Sequence, residues 1–175
     1  MGGTVKVPKH LSGLLNVTEN GETYMNGKIV CECGCSAFGI RYFGEQYPPS
    51  CVGIQAVDGR YALIIKAKCR DCGKEYRLFD YAKHSYDGLI CGDGVSVPDE
   101  ELITAVADDE RYFEIEMSVE FDDVEQFTEE VVENPPEDMS FLPDDRFDIW
   151  SWLVIDLKCA KSGRKLKDFV NIELS

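Results

Sequence analysis

The sequence predicts a mostly β, β-rich α+β protein whose antiparallel strands form two related halves, the second without metal. Three observations carry that expectation. Residues 61–69 and 110–121 alternate apolar and polar, the period of a strand with one face buried. Two tight cysteine turns, Cys31-Glu32-Cys33-Gly34-Cys35 and Cys69-Arg70-Asp71-Cys72-Gly73, bracket β-type segments. The second turn and the strand before it have an echo ninety positions later. Leu153, Ile155, Lys158, Cys159, Gly163 and Phe169 repeat Leu63, Ile65, Lys68, Cys69, Gly73 and Phe79 without a gap.

Taken in order, residues 1–30 read as a lead-in, with a turn at Glu19-Asn20-Gly21-Glu22 and a hairpin turn at Asn26-Gly27. Residues 37–43 follow the first cysteine cluster as a half-buried strand. Residues 44–60, with Pro48, Pro49, Gly53 and Gly59, form a loop or ragged hairpin. In residues 61–69, Leu63, Ile65, Ala67 and Cys69 share one face while Lys66 and Lys68 share the other. Residues 74–80 pair back across the Cys72-Gly73 turn. The Gly- and Asp-rich stretch 83–97 is the expected linker, which divides the chain into a β domain at 1–97 and an acidic β domain at 98–175.

In the second half, Phe113, Ile115, Met117, Val119 and Phe121 face one way in a long strand. Asp122-Asp123 cap a short helix through Val132, and Asn134-Pro135-Pro136 end it. Residues 147–159 and 164–174 are the last two strands. With one gap upstream, Val106 and Asp108 fall where Cys31 and Cys33 do, and Ser162 stands in the place of Cys72. One thiol of four holds no structural metal. The second half is therefore expected to stand on hydrophobic packing by Phe113, Ile115, Phe147, Trp150, Trp152 and Phe169, each contributing about 1.5–3 kcal/mol when buried.

The chemistry lies in the first half. Short Cys-x(1–2)-Cys-Gly turns present two sulfurs each, and zinc prefers four thiolates in a tetrahedron. Cys31, Cys33, Cys69 and Cys72 are the expected ligands, with Cys35 a rival to Cys31 because each lies two positions from Cys33. Free buried thiols, or a rubredoxin-type iron site with its two Cys-x-x-Cys-Gly turns, are the alternatives. Through Cys31-x-Cys33-Gly34 and Cys69-x-x-Cys72-Gly73, residues 29–80 resemble the zinc-ribbon superfamily. That resemblance implies a structural zinc ion in a closed site and leaves function open. Cys51, Cys91 and Cys159 read as isolated core or loop thiols, and His84 as a loop histidine.

Charge narrows the partners. The net charge is −15, and residues 98–148 alone carry 20 Asp/Glu against 2 Lys/Arg, a net −18. Phosphate-backbone binding depends on Lys/Arg releasing counterions, so nucleic acid is disfavoured. The acid pairs Asp108-Asp109, Asp122-Asp123, Glu129-Glu130 and Asp144-Asp145 read as solvated surface. The basic set Lys66, Lys68, Arg70, Lys74 and Arg77 either docks on the acidic block or forms a small anion patch.

Eight cysteines without an apolar leader segment in residues 1–17 suit a reducing, cytoplasmic compartment with no membrane association. No nucleophile–base pair, phosphate loop or open metal site is visible, which points away from an enzyme. The expected role is a non-catalytic zinc-binding adaptor that contacts protein partners. An acidic inhibitor or immunity-type protein for a basic partner is one alternative, and a thiol redox protein using Cys33/Cys35 or Cys69/Cys72 is another.

Overall fold

Antiparallel strands dominate the computed structural model, which describes residues 5–47, 51–133 and 143–174. In chain order they are β1 (Leu15–Asn20), β2 (Tyr24–Ile29), β3 (Phe38–Phe43), β4 (Glu45–Tyr47), β5 (Cys51–Gly53), β6 (Gln55–Val57), β7 (Arg60–Ala62), β8 (Ile64–Cys69) and β9 (Glu75–Asp80). After a one-turn helix α1 (Tyr81–His84) come β10 (Ile103–Thr104), β11 (Tyr112–Glu120), helix α2 (Val124–Glu133), β12 (Trp152–Cys159) and β13 (Lys165–Glu173). The expectation of a β-rich fold holds.

The strand β11 organises the sheet. Its alternation buries Phe113, Ile115, Met117 and Val119 while Tyr112, Glu116 and Glu120 stay exposed. One edge pairs with β12 from Phe113↔Cys159 to Glu120↔Trp152. The other edge is shared, Glu116–Glu120 pairing with β2 and Tyr112-Phe113 with β3. Beyond β3 lie β8 and then β9, and beyond β12 lies β13. The segments on either side of residue 97 thus contribute to one sheet, and one hydrophobic cluster runs from Leu11 through Phe38, Phe79, Phe113 and Trp150 to Leu174.

Several local expectations change. Asn26-Gly27 is not a turn: β2 runs straight through it, between β1 and β11. The hairpin turn is the earlier one, closed by Gly21 N–H to Tyr24 O at 2.9 Å. Gly27 is needed for closeness, since a Cβ there would lie 2.7 Å from Asn16 O. Where a loop or ragged hairpin is expected, β4 pairs antiparallel with β5 and β6 with β7. Trp152 is 36% exposed, its indole N–H donating to Asn171 Oδ1 at 2.8 Å, whereas Trp150 is wholly buried.

The stretch 83–97 is folded rather than slack. Tyr86 N–H donates to Trp150 O and Asp87 N–H to Leu174 O, and Tyr86 and Ile90 pack with Phe127 and Ile149. Phe127 anchors α2 there, and Asp123 Oδ1 caps the helix by accepting from Gln126 N–H at 2.9 Å. The expected stop at Asn134-Pro135-Pro136 lies outside the described residues.

Four of the five basic residues, Lys66, Arg70, Lys74 and Arg77, meet acidic partners within the chain. Lys66 and Arg41 both pair with Asp99, and both also reach Glu75. Lys74 pairs with Glu32, Arg70 with Asp71 and Arg77 with Asp80. Asp99 belongs to the acidic block, and the two cations beside it hold its carboxyl down to about 2. Just beyond it β10 adds to the edge of β3, through Ile103↔Tyr42 and Thr104↔Arg41.

Candidate metal centre

Two turns at one end of the sheet bring four sulfurs together. The first turn closes on itself, with Cys31 N–H donating to Cys35 O at 2.9 Å and Gly34 N–H to Cys31 O at 2.8 Å. Gly34 sits at φ 93°, a conformation that a side chain would strain. The second turn links β8 to β9, with Cys69 N–H donating to Lys74 O at 2.9 Å and Gly73 N–H to Cys69 O at 3.0 Å. Because β3 pairs with β8 through Phe38↔Cys69, the chain leaving the first turn runs directly beside the second.

The sulfurs of Cys31, Cys33, Cys69 and Cys72 all lie within 4.8 Å of one another. Two close contacts cross between the turns, Cys31 to Cys72 at 3.4 Å and Cys33 to Cys69 at 3.6 Å. A zinc tetrahedron with Zn–S bonds of about 2.3 Å has sulfur–sulfur edges of about 3.8 Å, so the group fits such an ion. Cys35 does not join it. Its Sγ is turned to Ala37, 3.4 Å from that amide nitrogen and 3.5 Å from the carbonyl. Backbone geometry separates two cysteines that spacing alone leaves equivalent.

The surroundings suit thiolates. Backbone amides of Cys33, Cys35, Asp71, Cys72 and Lys74 face the sulfurs. The Tyr76 hydroxyl lies 3.1 Å from Cys31 Sγ. Burial works to raise the Cys69 thiol, but the Cys72 and Asp71 amides and the neighbouring sulfurs outweigh it and draw the group down. The Cys35 amide works to lower Cys33, but the contact with Cys69 prevails and pushes it up. Cys31 and Cys69 are buried, while Cys33 and Cys72 are exposed on the outer side.

Tyr76 carries no motif. The signal for it is weak: it stands four residues after Cys72, on the strand that returns from the turn.

His84 is not a loop histidine. It ends α1 in the interior and stacks on His10, with ring centroids 3.8 Å apart and planes within 5°. Trp150 and Phe79 close around the pair. His84 Nδ1 accepts from Asp80 N–H at 3.0 Å, and His10 Nε2 meets Leu78 O at 3.1 Å. Burial, with the charges of His10, Arg77 and Lys83, pushes His84 down to about 2, and burial also lowers His10. These histidines are held as neutral packing groups.

No family model, curated protein or solved structure matches this chain. Among the described residues, no helix is long and apolar enough to cross a membrane.

Proposed function

We propose that this is a non-catalytic metal-binding protein in which Cys31, Cys33, Cys69 and Cys72 hold one structural zinc ion in a zinc-ribbon-like unit, and that it acts as an adaptor for protein partners. The convergence of four sulfurs from two turns, paired across 41 and 36 positions of sequence, carries this reading. An all-thiolate set is the donor chemistry of zinc and iron–sulfur centres, and a tetrahedral site filled by four protein ligands leaves no position for water or substrate. The ion would fix the two turns against each other and the β8–β9 hairpin against β3. The redox reading needs Cys33/Cys35 or Cys69/Cys72 as its working pair. Sulfur contacts of 3.4 and 3.6 Å instead run between the turns, and the Cys35 sulfur is engaged by Ala37.

Metal analysis of the purified full chain tests this: one zinc per chain is expected, lost in Cys31→Ser and Cys69→Ser and kept in Cys35→Ser. Loss in Cys35→Ser with retention in Cys31→Ser overturns the ligand set. A chain that takes up no metal overturns the reading.

A second reading, an acidic inhibitor or immunity-type protein for a basic partner, is favoured by α2. Glu125, Glu129 and Glu133 are all exposed and four residues apart, so they line one face of the helix. Binding that weakens as salt rises, and is lost on reversing those three charges, supports this reading. Binding indifferent to salt removes it.

A further inference from the structure

A cavity of about 600 Å³ opens on the concave side of the sheet. It exists because the sheet curls. In strand order β11 and β12 lie between β3 and β13, yet the Tyr42 ring of β3 meets the Phe169 ring of β13 edge to face, with centroids 5.6 Å apart. Buried Phe113, Leu157, Leu166 and Phe169 form the apolar floor. Tyr47 of β4 and Val52 of β5 line it as well, as do residues 105–108. The turn after Cys159 contributes Arg164. There Cys159 N–H donates to Arg164 O at 2.8 Å and Gly163 N–H to Cys159 O at 2.9 Å, the bonds that Cys69, Lys74 and Gly73 make in the first half. Gly73 and Gly163 share a φ of 75°. The repeated turn thus sets Arg164 beside the cavity, where its guanidinium pairs with Asp108.

Two observations say what such a space would hold. Charge is the first. Among the described residues that line it, Asp108 and Arg164 are the only charged side chains, one of each sign and paired with each other. An ionic ligand would compete with that pair, whereas a neutral one leaves it intact. The Tyr42 hydroxyl is the second. Two phenols line the cavity, and that of Tyr47 is satisfied, donating to Glu45 Oε2 at 2.9 Å. Tyr42 is 8% exposed, and its hydroxyl has no hydrogen-bond partner among the described residues. Its oxygen is not sealed in the core but keeps access to the cavity. Withholding a phenol from water without a partner is unfavourable, and a polar group on a ligand offsets that cost.

We propose that this cavity binds a neutral aromatic small molecule carrying one hydroxyl or N–H group, with its rings against Phe113 and Phe169 and its polar group on the Tyr42 hydroxyl. Aromatic walls favour ring ligands through edge-to-face and offset contacts. The volume falls within the roughly 300–1,000 Å³ of small-molecule sites, which combine apolar walls with a few placed polar groups. None of Cys31, Cys33, Cys69 and Cys72 lines the cavity, so binding there does not depend on what the four sulfurs hold.

The test titrates the isotopically labelled full chain with naphthol, naphthalene and naphthoate and follows amide shifts by NMR. Saturable shifts are expected at Tyr42, Val52, Ala105 and Phe169, with a dissociation constant on the order of 0.1 mM for naphthol. Naphthalene is the more apolar probe, so burial alone would make it bind more tightly. A hydrogen bond to Tyr42 should instead give naphthol an advantage of about three- to tenfold. Tyr42→Phe should erase that advantage, and its persistence in the variant overturns the role of Tyr42. No saturable shifts, or shifts centred away from these residues, overturn the proposal. Naphthalene binding to the native chain as tightly as naphthol also overturns it, in a comparison that needs no variant to fold. Naphthoate should bind more weakly than naphthol, and tighter binding of naphthoate overturns the neutral class of ligand.

Discussion

The Cys69 and Cys159 hairpins share a backbone and differ in what holds it. The first hairpin is short: β3, β8 and β9 have six residues each, and β9 is an outer strand of the sheet. The second is long: β11, β12 and β13 have nine, eight and nine residues. Its eight paired positions between β11 and β12 bury Ile115, Met117, Val119, Leu153, Ile155 and Leu157. The Arg164–Asp108 pair has side chains roughly half exposed (53% and 54%), and a pair of that kind contributes only about 0.2–1 kcal/mol. A structural zinc ion contributes on the order of 10 kcal/mol or more in small domains. The difference predicts that a turn of this shape relies on an ion when its strands are short, and only on a weak polar clasp when ladder and core reach far enough.

Removing the ion is expected to break the comparison most sharply. A chelator, or Cys69→Ser, should cost the first hairpin its order while the second keeps its own. Hydrogen exchange reads this directly: amides of residues 69–76 should lose protection, and amides of residues 152–173 should keep most of theirs. Equal loss in both regions would mean that the two units do not differ in how they are held.

The reverse experiment acts on the core of the second unit. Phe113 is fully buried opposite Cys159, and Phe113→Ala should destabilise the chain by about 3–5 kcal/mol in denaturant unfolding, with or without metal. A cost below about 1 kcal/mol would show that packing is not what replaces the ion.

The histidine stack sharpens the picture through pH. His84 is neutral in the fold and His10 is lowered, so the unfolded chain binds more protons below its ordinary imidazole pKa of about 6.5. Their stabilisation is complete above about pH 6.5 and is lost as pH falls, by up to about 1.4 kcal/mol per pH unit for each histidine. Arg77 and Lys83 reinforce this for His84, and Asp148 opposes it for His10. The neighbouring Asp80 carboxyl, raised by burial, acts in the opposite sense and favours the fold as pH falls. Unfolding midpoints between pH 7 and 5.5 should therefore fall in the native chain and fall less in His84→Phe. Parallel curves would place the acid sensitivity elsewhere, at the sulfur group for example.

The smallest effect belongs to the clasp. Asp108→Asn and Arg164→Gln should each cost no more than about 1 kcal/mol, with a double-mutant coupling of about 0.2–1 kcal/mol that shrinks in high salt. A coupling of several kcal/mol would make the clasp, rather than the core, the equivalent of the ion.

The sequence by itself determined the strands that alternate strictly, β8 and β11, because a half-buried strand writes its period of two into the side chains. It also determined the two cysteine turns and the echo of the second at Cys159, since turn chemistry is local: Gly73 and Gly163 mark the same backbone conformation in the text. Only the tertiary structure decided the rest. That the Cys31 sulfur, and not that of Cys35, clusters with Cys33, Cys69 and Cys72 follows from how the first turn closes, and spacing treats the two alike. His10 and His84 meet across 74 positions, and which acid of the block meets Lys66 and Arg41, namely Asp99, is not marked in the sequence. Gly27 reads as a turn residue until β1 and β11 are seen to press on either side of it. In each case the deciding contact is made by strands distant in sequence, and pairing between such strands leaves no local pattern.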